Sequence, residues 1–304
     1  MEQDCRYFFC GGIHICVESD IPMDNQTFHE KFDSFRAEGP ADDTVSIHHH
    51  FGLPDLEGKE LGKLIYSKPP WSIYRSESSW IYLGISPTEG EKKLHKVAVF
   101  NEEHTQGNIY NSFNSEIMFR EGGLDSLTMF PTDQILFTRL IADRGGCFLH
   151  SAGLAIDGHG VLFVGHSGAG KSTTCNLFRE RAKILCDDRN ILRPSDEGWR
   201  VYGTWNHGDV PDVSSCDVPL KAIMFINQAK HNEIEEITSH REKMTLLLEN
   251  LITALETKEW WEKELDVLER IAREVPCYRM CFDKSGAIVD KVIDEIVQKP
   301  QQSA

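Results

Sequence analysis

Residues 165–172 constrain the fold of this chain more than any other segment. They read Gly-His-Ser-Gly-Ala-Gly-Lys-Ser, which matches the G-x-x-x-x-G-K-S pattern of a phosphate-binding loop. The apolar run at residues 161–164, typical of a buried strand, comes directly before them. A strand, a glycine-rich turn and a helix in this order place backbone N–H groups and the positive helix end around a polyphosphate. The segment therefore predicts an α/β fold with a nucleotide-binding core.

The same loop predicts ATP and Mg²⁺ as cofactors. Backbone amides surround the phosphates, the ammonium of Lys171 contacts the β- and γ-phosphate oxygens, and the hydroxyl of Ser172 ligates the metal ion. The residues predicted to bind the nucleotide are Gly165, His166, Ser167, Gly168, Ala169, Gly170, Lys171, Ser172 and Thr173. The other interpretation, a glycine-rich turn that binds nothing, has little support beside a complete motif in this context.

Two adjacent carboxylates, Asp187 and Asp188, follow a strand predicted at residues 183–186. Fifteen residues lie between Lys171 and Asp187, enough for one short helix and one strand, so the carboxylates are expected near the loop. An Asp-Asp pair after a strand is by itself more often a solvated turn. Beside a phosphate loop it favours divided roles, in which one carboxylate holds Mg²⁺ and the other takes a proton from an incoming hydroxyl.

Three segments, residues 150–156, 160–172 and 185–189, resemble the catalytic domain of HPr kinase/phosphorylase and the kinases built on it. That group shares a core with the phosphoenolpyruvate carboxykinases. The resemblance implies that Asp188 is the general base, that Asp187 is linked to the metal together with Ser172, and that His150 lies close to the transferred phosphate. The predicted catalytic set is therefore Asp188, Asp187, His150 and Lys171. Without the resemblance, His150 would be read as a core histidine with a satisfied partner.

Beyond residue 200 the chain is similar to the HPr-kinase-related proteins, among them tailoring kinases of lasso-peptide clusters. The matching segments lie at residues 203–209, 218–225 and 275–280, and the Glu-x-Arg-Gly segment of HPr kinases is missing after the aspartates. The resemblance implies a P-loop phosphotransferase that moves the γ-phosphoryl group of ATP to a serine hydroxyl of a peptide or protein. Two alternatives stay open: a small-molecule kinase on the same core and a non-catalytic ATP-binding regulatory protein. The intact aspartate pair argues against the second, because binding alone needs no base.

The chain is predicted to divide into a mainly β region, residues 1–120, and a kinase-like domain, residues 121–304. Short apolar runs separated by turn residues predict six strands in the first region, at residues 7–9, 12–17, 44–48, 71–74, 80–83 and 97–100. The phenylalanine spacing at residues 25–36 predicts its helix, and a capping sequence at residues 132–134 predicts another helix through about residue 142. In the second part we expect strands at residues 147–150, 153–156, 161–164, 183–186, 200–202, 222–226 and 277–282, and Asp157-Gly158 predicts a tight hairpin. Every phosphate-linked motif lies in the second part, so we expect the first part to bind the acceptor.

Three further features admit a functional and a structural interpretation. The loop at residues 203–209 carries His207 and Asp209 and suits a mobile segment over an acceptor, or an ordinary polar turn. The pair Trp260 and Trp261 is expected to pack rather than to form a substrate platform. In the triplet His48-His49-His50, only the outer two can share a strand face, and the sequence shows no nearby acidic or cysteine pair that would complete a metal site.

Composition restricts the classes of binding partner and the cellular compartment that we expect for this chain. The net charge of −16, from 32 Lys+Arg and 48 Asp+Glu, argues against nucleic acid and against an anionic membrane. Nine cysteines without a C-x-x-C pair predict free, mostly buried thiols in a reducing cytoplasm. The sequence shows neither a signal peptide nor an apolar run of 18 residues, and it leaves the oligomeric state open.

Overall fold

The computed structural model describes residues 5–68, 71–85, 94–130, 133–253 and 257–298. The chain forms two compact units. The first comprises Met1–Arg139 with Leu255–Lys258, and the second comprises Leu140–Ala254 with Glu259–Ala304. None of the described helices combines the length and the apolarity needed to cross a bilayer.

The first unit is built on a nine-stranded sheet with the order β3-β1-β2-β4-β9-β8-β7-β6-β5. Its strands are β1 (Arg6–Cys10), β2 (Ile13–Ser19), β3 (Arg36–Ala37), β4 (Thr44–Phe51), β5 (Lys63–Lys68), β6 (Trp71–Arg75), β7 (Ser79–Ile85), β8 (Leu94–Asn101) and β9 (Gln106–Asn111). Neighbours are antiparallel except at β2–β4 and β4–β9, which are parallel. The six predicted strands are confirmed as β1, β2, β4, β6, β7 and β8, whereas β3, β5 and β9 were not predicted.

The predicted helix at residues 25–36 is wrong in extent. Only Glu30–Phe35 is helical, as a 3₁₀ helix, and the next two residues form β3. The first residues are held in a turn, where the side chain of Thr27 accepts from the Asp24 N–H, and Phe28 forms a β-bridge with Leu124. The phenylalanine spacing that suggested a helix still serves the core, because Phe28 and Phe32 both pack against the ring of Phe8.

The second unit is built on an eight-stranded sheet with the order β11-β10-β13-β14-β15-β17-β16, with β12 paired to β10. Its strands are β10 (Cys147–Ile156), β11 (His159–Val164), β12 (Lys183–Cys186), β13 (Arg189–Ser195), β14 (Gly198–Tyr202), β15 (Asp217–Gln228), β16 (Glu233–Glu236) and β17 (Cys277–Phe282). The described α-helices of the chain are α1 (Phe113–Glu121), α2 (Gln134–Asp143), α3 (Lys171–Phe178), α4 (His240–Glu249), α5 (Lys258–Glu274) and α6 (Ala287–Val292).

Helices cover both faces of the second sheet, and alternate residues of β11 pack into the cores on its two sides. Leu162 and Val164 belong to the core that includes Trp260 of α5, while Val161 and Phe163 belong to the core that includes Phe178 of α3. A strand buried on both faces needs a continuous apolar run, which is the pattern at residues 161–164. The tight β10–β11 hairpin predicted at Asp157-Gly158 is confirmed, with both residues at positive φ.

The boundary between the two units falls later than the predicted position at residues 120/121. Residues beyond 121 remain attached to the first unit, because the carbonyl of Leu127 bonds the ring of His49 and the carbonyl of Met129 accepts from Lys96. The predicted helix is present as α2, and the Asp133 carbonyl accepts from Phe137 at its start. The first residue of its predicted cap, Thr132, lies outside the described residues.

The prediction that the cysteines are all free is wrong at one pair. Cys5 and Cys16 form a disulfide, with Cα atoms 6.3 Å apart. The antiparallel register of β1 and β2 places Tyr7 opposite Cys16, which brings Cys5 within reach. The remaining described cysteines are free, and most of them are buried as expected.

One face of α5 is buried, and it carries a carboxyl group. Trp260 lies in the core with Trp261 packed against it, so the packing interpretation of this pair is confirmed. Glu264 lies one turn further along and is 1% exposed, and its Oε2 has no hydrogen-bond partner in the described chain. Burial raises the pKa of Glu264 to about 8. The side chain is therefore protonated in the folded chain at neutral pH.

Glu264→Gln is expected to flatten the pH dependence of stability. Between pH 4.5 and about 8 the folded chain holds a proton at Glu264 that the unfolded chain releases, so the free energy of unfolding falls as pH rises through this window. Glutamine does not ionise. The variant should match the wild type near pH 4 and exceed it by up to several kcal/mol above pH 8, because each pKa unit is worth about 1.4 kcal/mol.

Urea unfolding followed by tryptophan fluorescence at a series of pH values measures this difference. Glu269→Gln, an exposed position on the same helix, is the matched control and should track the wild type. Equal pH slopes for Glu264→Gln and the wild type would contradict a buried neutral carboxyl.

Candidate functional site

The phosphate-loop sequence lies between β11 and α3, as predicted. Its backbone requires glycine at two positions: Gly168 has a φ of 83° and Gly170 a φ of 108°, both in a region that side chains disfavour. A Cβ on Gly170 would also lie 2.7 Å from the ring of Phe282. The turn that leads into α3 therefore depends on these two residues.

The ammonium of Lys171 is folded back over the loop. It donates to the carbonyl oxygens of Gly165 at 2.8 Å and His166 at 3.3 Å. Burial lowers the pKa of Lys171, and the nearby carboxylates of Asp188 and Asp187 oppose that shift. The loop thus holds a cation at the head of α3, where backbone N–H groups also point.

The carboxylate of Asp187 joins the head of α3 to the loop that follows β14. It is 1% exposed and accepts the Ser172 hydroxyl at 3.1 Å, the Gly208 N–H at 2.5 Å and the Val210 N–H at 2.8 Å. The two residues predicted to hold the metal, Ser172 and Asp187, are therefore in contact. The two backbone N–H donors also give Asp187 a structural role, because they tie the loop after β14 to its carboxylate, and the sequence did not predict this role.

Asp188 is paired with the predicted histidine. Its Oδ1 accepts from His150 Nε2 at 2.7 Å, and its Oδ2 lies 3.0 Å from Nε of Arg189. Burial alone would raise the pKa of Asp188, but the His150 hydrogen bond and the charges of His150, Arg189 and Lys171 lower it overall. Asp188 is therefore a carboxylate at neutral pH.

The course of β10 explains why these side chains meet. The prediction ended this strand at His150, but it continues to Ile156. Its first half pairs with β13, with His150 opposite Arg189, and its second half pairs with β11, with Ser151 opposite Val164. At His150, β10 therefore changes its partner from β13, which follows the Asp-Asp pair, to β11, which leads into the phosphate loop.

These side chains face one cavity of ≈ 270 Å³. Its lining consists of His150, Ser167, Gly168, Gly170, Lys171, Ser172, Thr173, Asp187, Asp188, Gly208, Asp209 and Gln228. Of the predicted site residues, Gly165, His166 and Ala169 do not line it. His166 is exposed, and its Nδ1 contacts the Ser167 carbonyl oxygen at 2.7 Å.

The loop at residues 203–209 supplies part of the cavity wall. Gly208 and Asp209 line it, whereas His207 does not and keeps its Nδ1 within 2.9 Å of the Gly208 carbonyl oxygen. Gln228 was not predicted. It ends β15, which runs parallel to β11, and its Nε2 donates to the Gly168 carbonyl at 3.2 Å. A polar residue at the carboxyl end of an apolar run was the signal that could have identified it.

The donor set fits a small hard cation and a polyphosphate. Mg²⁺ prefers oxygen ligands, and the Ser172 hydroxyl and the carboxylates of Asp187 and Asp188 supply them within one cavity. Lys171 and the amino end of α3 supply the complementary positive field for phosphate groups.

The histidine triplet on β4 differs from its prediction. His49 is buried, and its pKa falls to about 3, chiefly because of burial. His48 and His50 share the opposite face, as expected. The prediction that no acidic pair completes their cluster is wrong, because Asp20, just after β2, contacts both rings and Glu18 contacts His48. The parallel β2–β4 register, with Glu18 opposite His48, brings it there.

Comparison with known families finds a match for the second part of the chain. A family model described as “SynChlorMet cassette protein ScmC” matches residues 125–298, more than half of the 304 residues, and this segment contains the whole predicted site. The description states no activity. No curated protein matches the chain.

Asp187→Asn should release the loop at residues 203–210 from the head of α3. The amide of asparagine replaces one acceptor oxygen with an NH₂ group, which cannot accept a hydrogen bond. At least one buried N–H or O–H group therefore loses its acceptor, at a cost of roughly 1–3 kcal/mol. Hydrogen exchange at the Gly208 and Val210 amides should accelerate at least tenfold. Asp212→Asn, which removes only a partly exposed ion pair with Arg179, is the control. Unchanged protection of both amides would contradict the anchoring role of Asp187.

Proposed function

The chain belongs to the ScmC family of SynChlorMet cassette proteins, and we propose that this member is an ATP- and Mg²⁺-dependent kinase that transfers the γ-phosphoryl group to a hydroxyl. One observation carries the proposal. Lys171 of the phosphate loop, the Ser172–Asp187 contact and the His150–Asp188 pair all line a single cavity. These are the parts that phosphoryl transfer needs: a phosphate cradle, ligands for a metal ion and an acceptor for the proton.

In this proposal the loop binds the β- and γ-phosphates. The Lys171 ammonium exchanges its two loop carbonyl oxygens for phosphate oxygens, and the N–H groups at the start of α3 add their bonds. Ser172 and Asp187 hold Mg²⁺, which neutralises charge that develops on the phosphate oxygens. The Ser172 oxygen donates its hydrogen to Asp187, so its lone pairs remain available to a cation.

Asp188 is proposed to accept the proton of the incoming hydroxyl. Its hydrogen bond to His150 fixes the carboxylate in the cavity and keeps it ionised. The low pKa makes it a weak base, which suits a reaction in which positioning and charge stabilisation do most of the catalysis. His150 acts through Asp188 and lines the same cavity, which supports its expected place beside the transferred phosphate.

The proposed acceptor is a serine hydroxyl of a peptide or protein, in a cytoplasmic setting where ATP and Mg²⁺ are available. The resemblance to kinases that modify peptides supports this class. Asp209 and Gly208 border the cavity next to Asp187 and Asp188, on a loop that an acceptor would meet. We further propose that the mainly β region of residues 1–120 contributes to acceptor recognition.

Lys171→Ala should weaken the binding of Mg²⁺-ATP and abolish transfer. The substitution removes the ammonium that faces the phosphates, and a charged hydrogen bond is worth roughly 1.5–3 kcal/mol, or about 10–100-fold in affinity. Calorimetry with ATP and Mg²⁺ on the full chain measures the affinity, and Lys284→Ala, at an exposed position, is the matched control. Equal ATP affinity for Lys171→Ala and the wild type would overturn the nucleotide site.

Asp188→Asn should separate binding from chemistry. The amide keeps the shape of the side chain but cannot accept the proton, so ATP affinity should change little while transfer from labelled ATP to peptide or small hydroxyl acceptors falls ~10²-fold or more. His150→Gln should lower transfer less, because it removes only the orienting bond. If the wild type and Asp188→Asn both bind ATP and neither transfers phosphate to any acceptor, the non-catalytic regulatory alternative is favoured.

A further inference from the structure

A second cluster of side chains lies in the first unit, on one face of β2 and β4. His48 and His50 of β4 stack with ring centroids 4.4 Å apart and planes at 17°. Their His48 Nε2 and His50 Nδ1 atoms lie 2.8 and 3.0 Å from the two carboxylate oxygens of Asp20. One ligand atom from each of these three residues lies within 4.8 Å of the other two.

The ring nitrogens of this cluster face more acceptors than neutral imidazoles can serve. Besides the Asp20 contacts, His48 Nδ1 lies 3.4 Å from a Glu18 oxygen, and His50 Nε2 lies 3.0 Å from the Asn108 amide oxygen. Four ring nitrogens thus face oxygen atoms, but two neutral imidazoles carry only two N–H groups. Rotating the Asn108 amide satisfies His50, yet His48 still faces two carboxylates with one hydrogen.

A divalent cation meets this deficit more fully than one extra proton does. A proton on His48 would bring a single positive charge between the carboxylates of Asp20 and Glu18. One divalent cation at the nitrogen edge would bring two charges next to the same carboxylates and take the ring nitrogens as ligands. Imidazole nitrogen and carboxylate oxygen are ligands that Zn²⁺ and its neighbours Co²⁺ and Ni²⁺ share.

The surrounding residues hold the ligands in place before any ion arrives. Tyr110 of β9 stacks on His50 with ring centroids 4.8 Å apart, and Asn108 bonds the ring nitrogen on the far side from Asp20. Such an outer bond fixes the orientation of a metal-ligating histidine. Bonds of about 2.1 Å at tetrahedral angles separate ligand atoms by about 3.4 Å, so the contacts of 2.8 and 3.0 Å between the ring nitrogens and Asp20 would open by roughly half an ångström on binding.

We propose that Asp20, His48 and His50 bind a divalent transition-metal ion of the zinc class, with Glu18 as the adjacent carboxylate. The site is distinct from the phosphate-loop cavity, and its residues belong to the other unit. Side chains that are 20 to 47% exposed make it accessible to solvent, with room for water or a further ligand on the metal. An ion there would join β2 to β4 through their side chains.

Equilibrium dialysis of the full chain against Zn²⁺ at pH 7.5, without nucleotide, tests the proposal. The wild type should bind one Zn²⁺ that the double variant His48→Gln/His50→Gln lacks or binds at least ~10²-fold more weakly. Co²⁺ substitution should give the visible absorption of a nitrogen- and oxygen-ligated ion in the wild type only. Asp20→Asn should weaken binding without abolishing it.

Two controls separate this site from other metal binding. His231→Gln, an exposed histidine of the second unit, should bind Zn²⁺ as the wild type does. Lys171→Ala should also retain the site, so failure of the kinase proposal would leave this result unaffected. Equal Zn²⁺ stoichiometry and affinity for the wild type and the double variant, both shown to be folded by circular dichroism, would overturn the proposal.

Discussion

The buried carboxylate of Asp187 is the interaction on which the organisation of the candidate site depends. A carboxylate with about 1% exposure is costly unless its oxygens are bonded, and here a hydroxyl and two backbone N–H groups bond them. The donors come from α3 and from the segment after β14. One side chain therefore fixes the first turn of the helix, the neighbouring loop and the Asp-Asp pair itself relative to one another.

The sheet of the second unit supplies the frame for that interaction. β10 pairs first with β13 and then with β11 and β12, so a single strand connects His150, the β11 strand that feeds the phosphate loop and the strand that ends at the carboxylates. The parallel pairing of β11 with β15 adds Gln228 at the same edge. The cavity is thus formed where several strands end.

The sequence predicted those features that local patterns determine. The loop motif, the Asp157-Gly158 hairpin and the strand at 277–282 required only neighbouring residues and were found where expected. α1 was not predicted because it has no apolar face: Phe113 is 73% exposed and only Phe119 is buried. The Cys5–Cys16 disulfide and the contact of Asp20 with β4 depend on strand register, which composition does not reveal. The same limit applies to Gln228 and to the N–H donors of Asp187.

The folded-back position of Lys171 has a consequence for ligand selection. The ammonium is already satisfied by two carbonyl oxygens of the loop itself, so an incoming molecule would have to compete with them. A neutral sugar or a lone hydroxyl offers the ammonium no more than those carbonyls do and gains little by replacing them. A polyanion with several charged oxygens gains Coulomb energy that the carbonyl dipoles cannot match. For the nucleotide site proposed above, this competition would favour multiply charged ligands over neutral ones, whatever the rest of the ligand is.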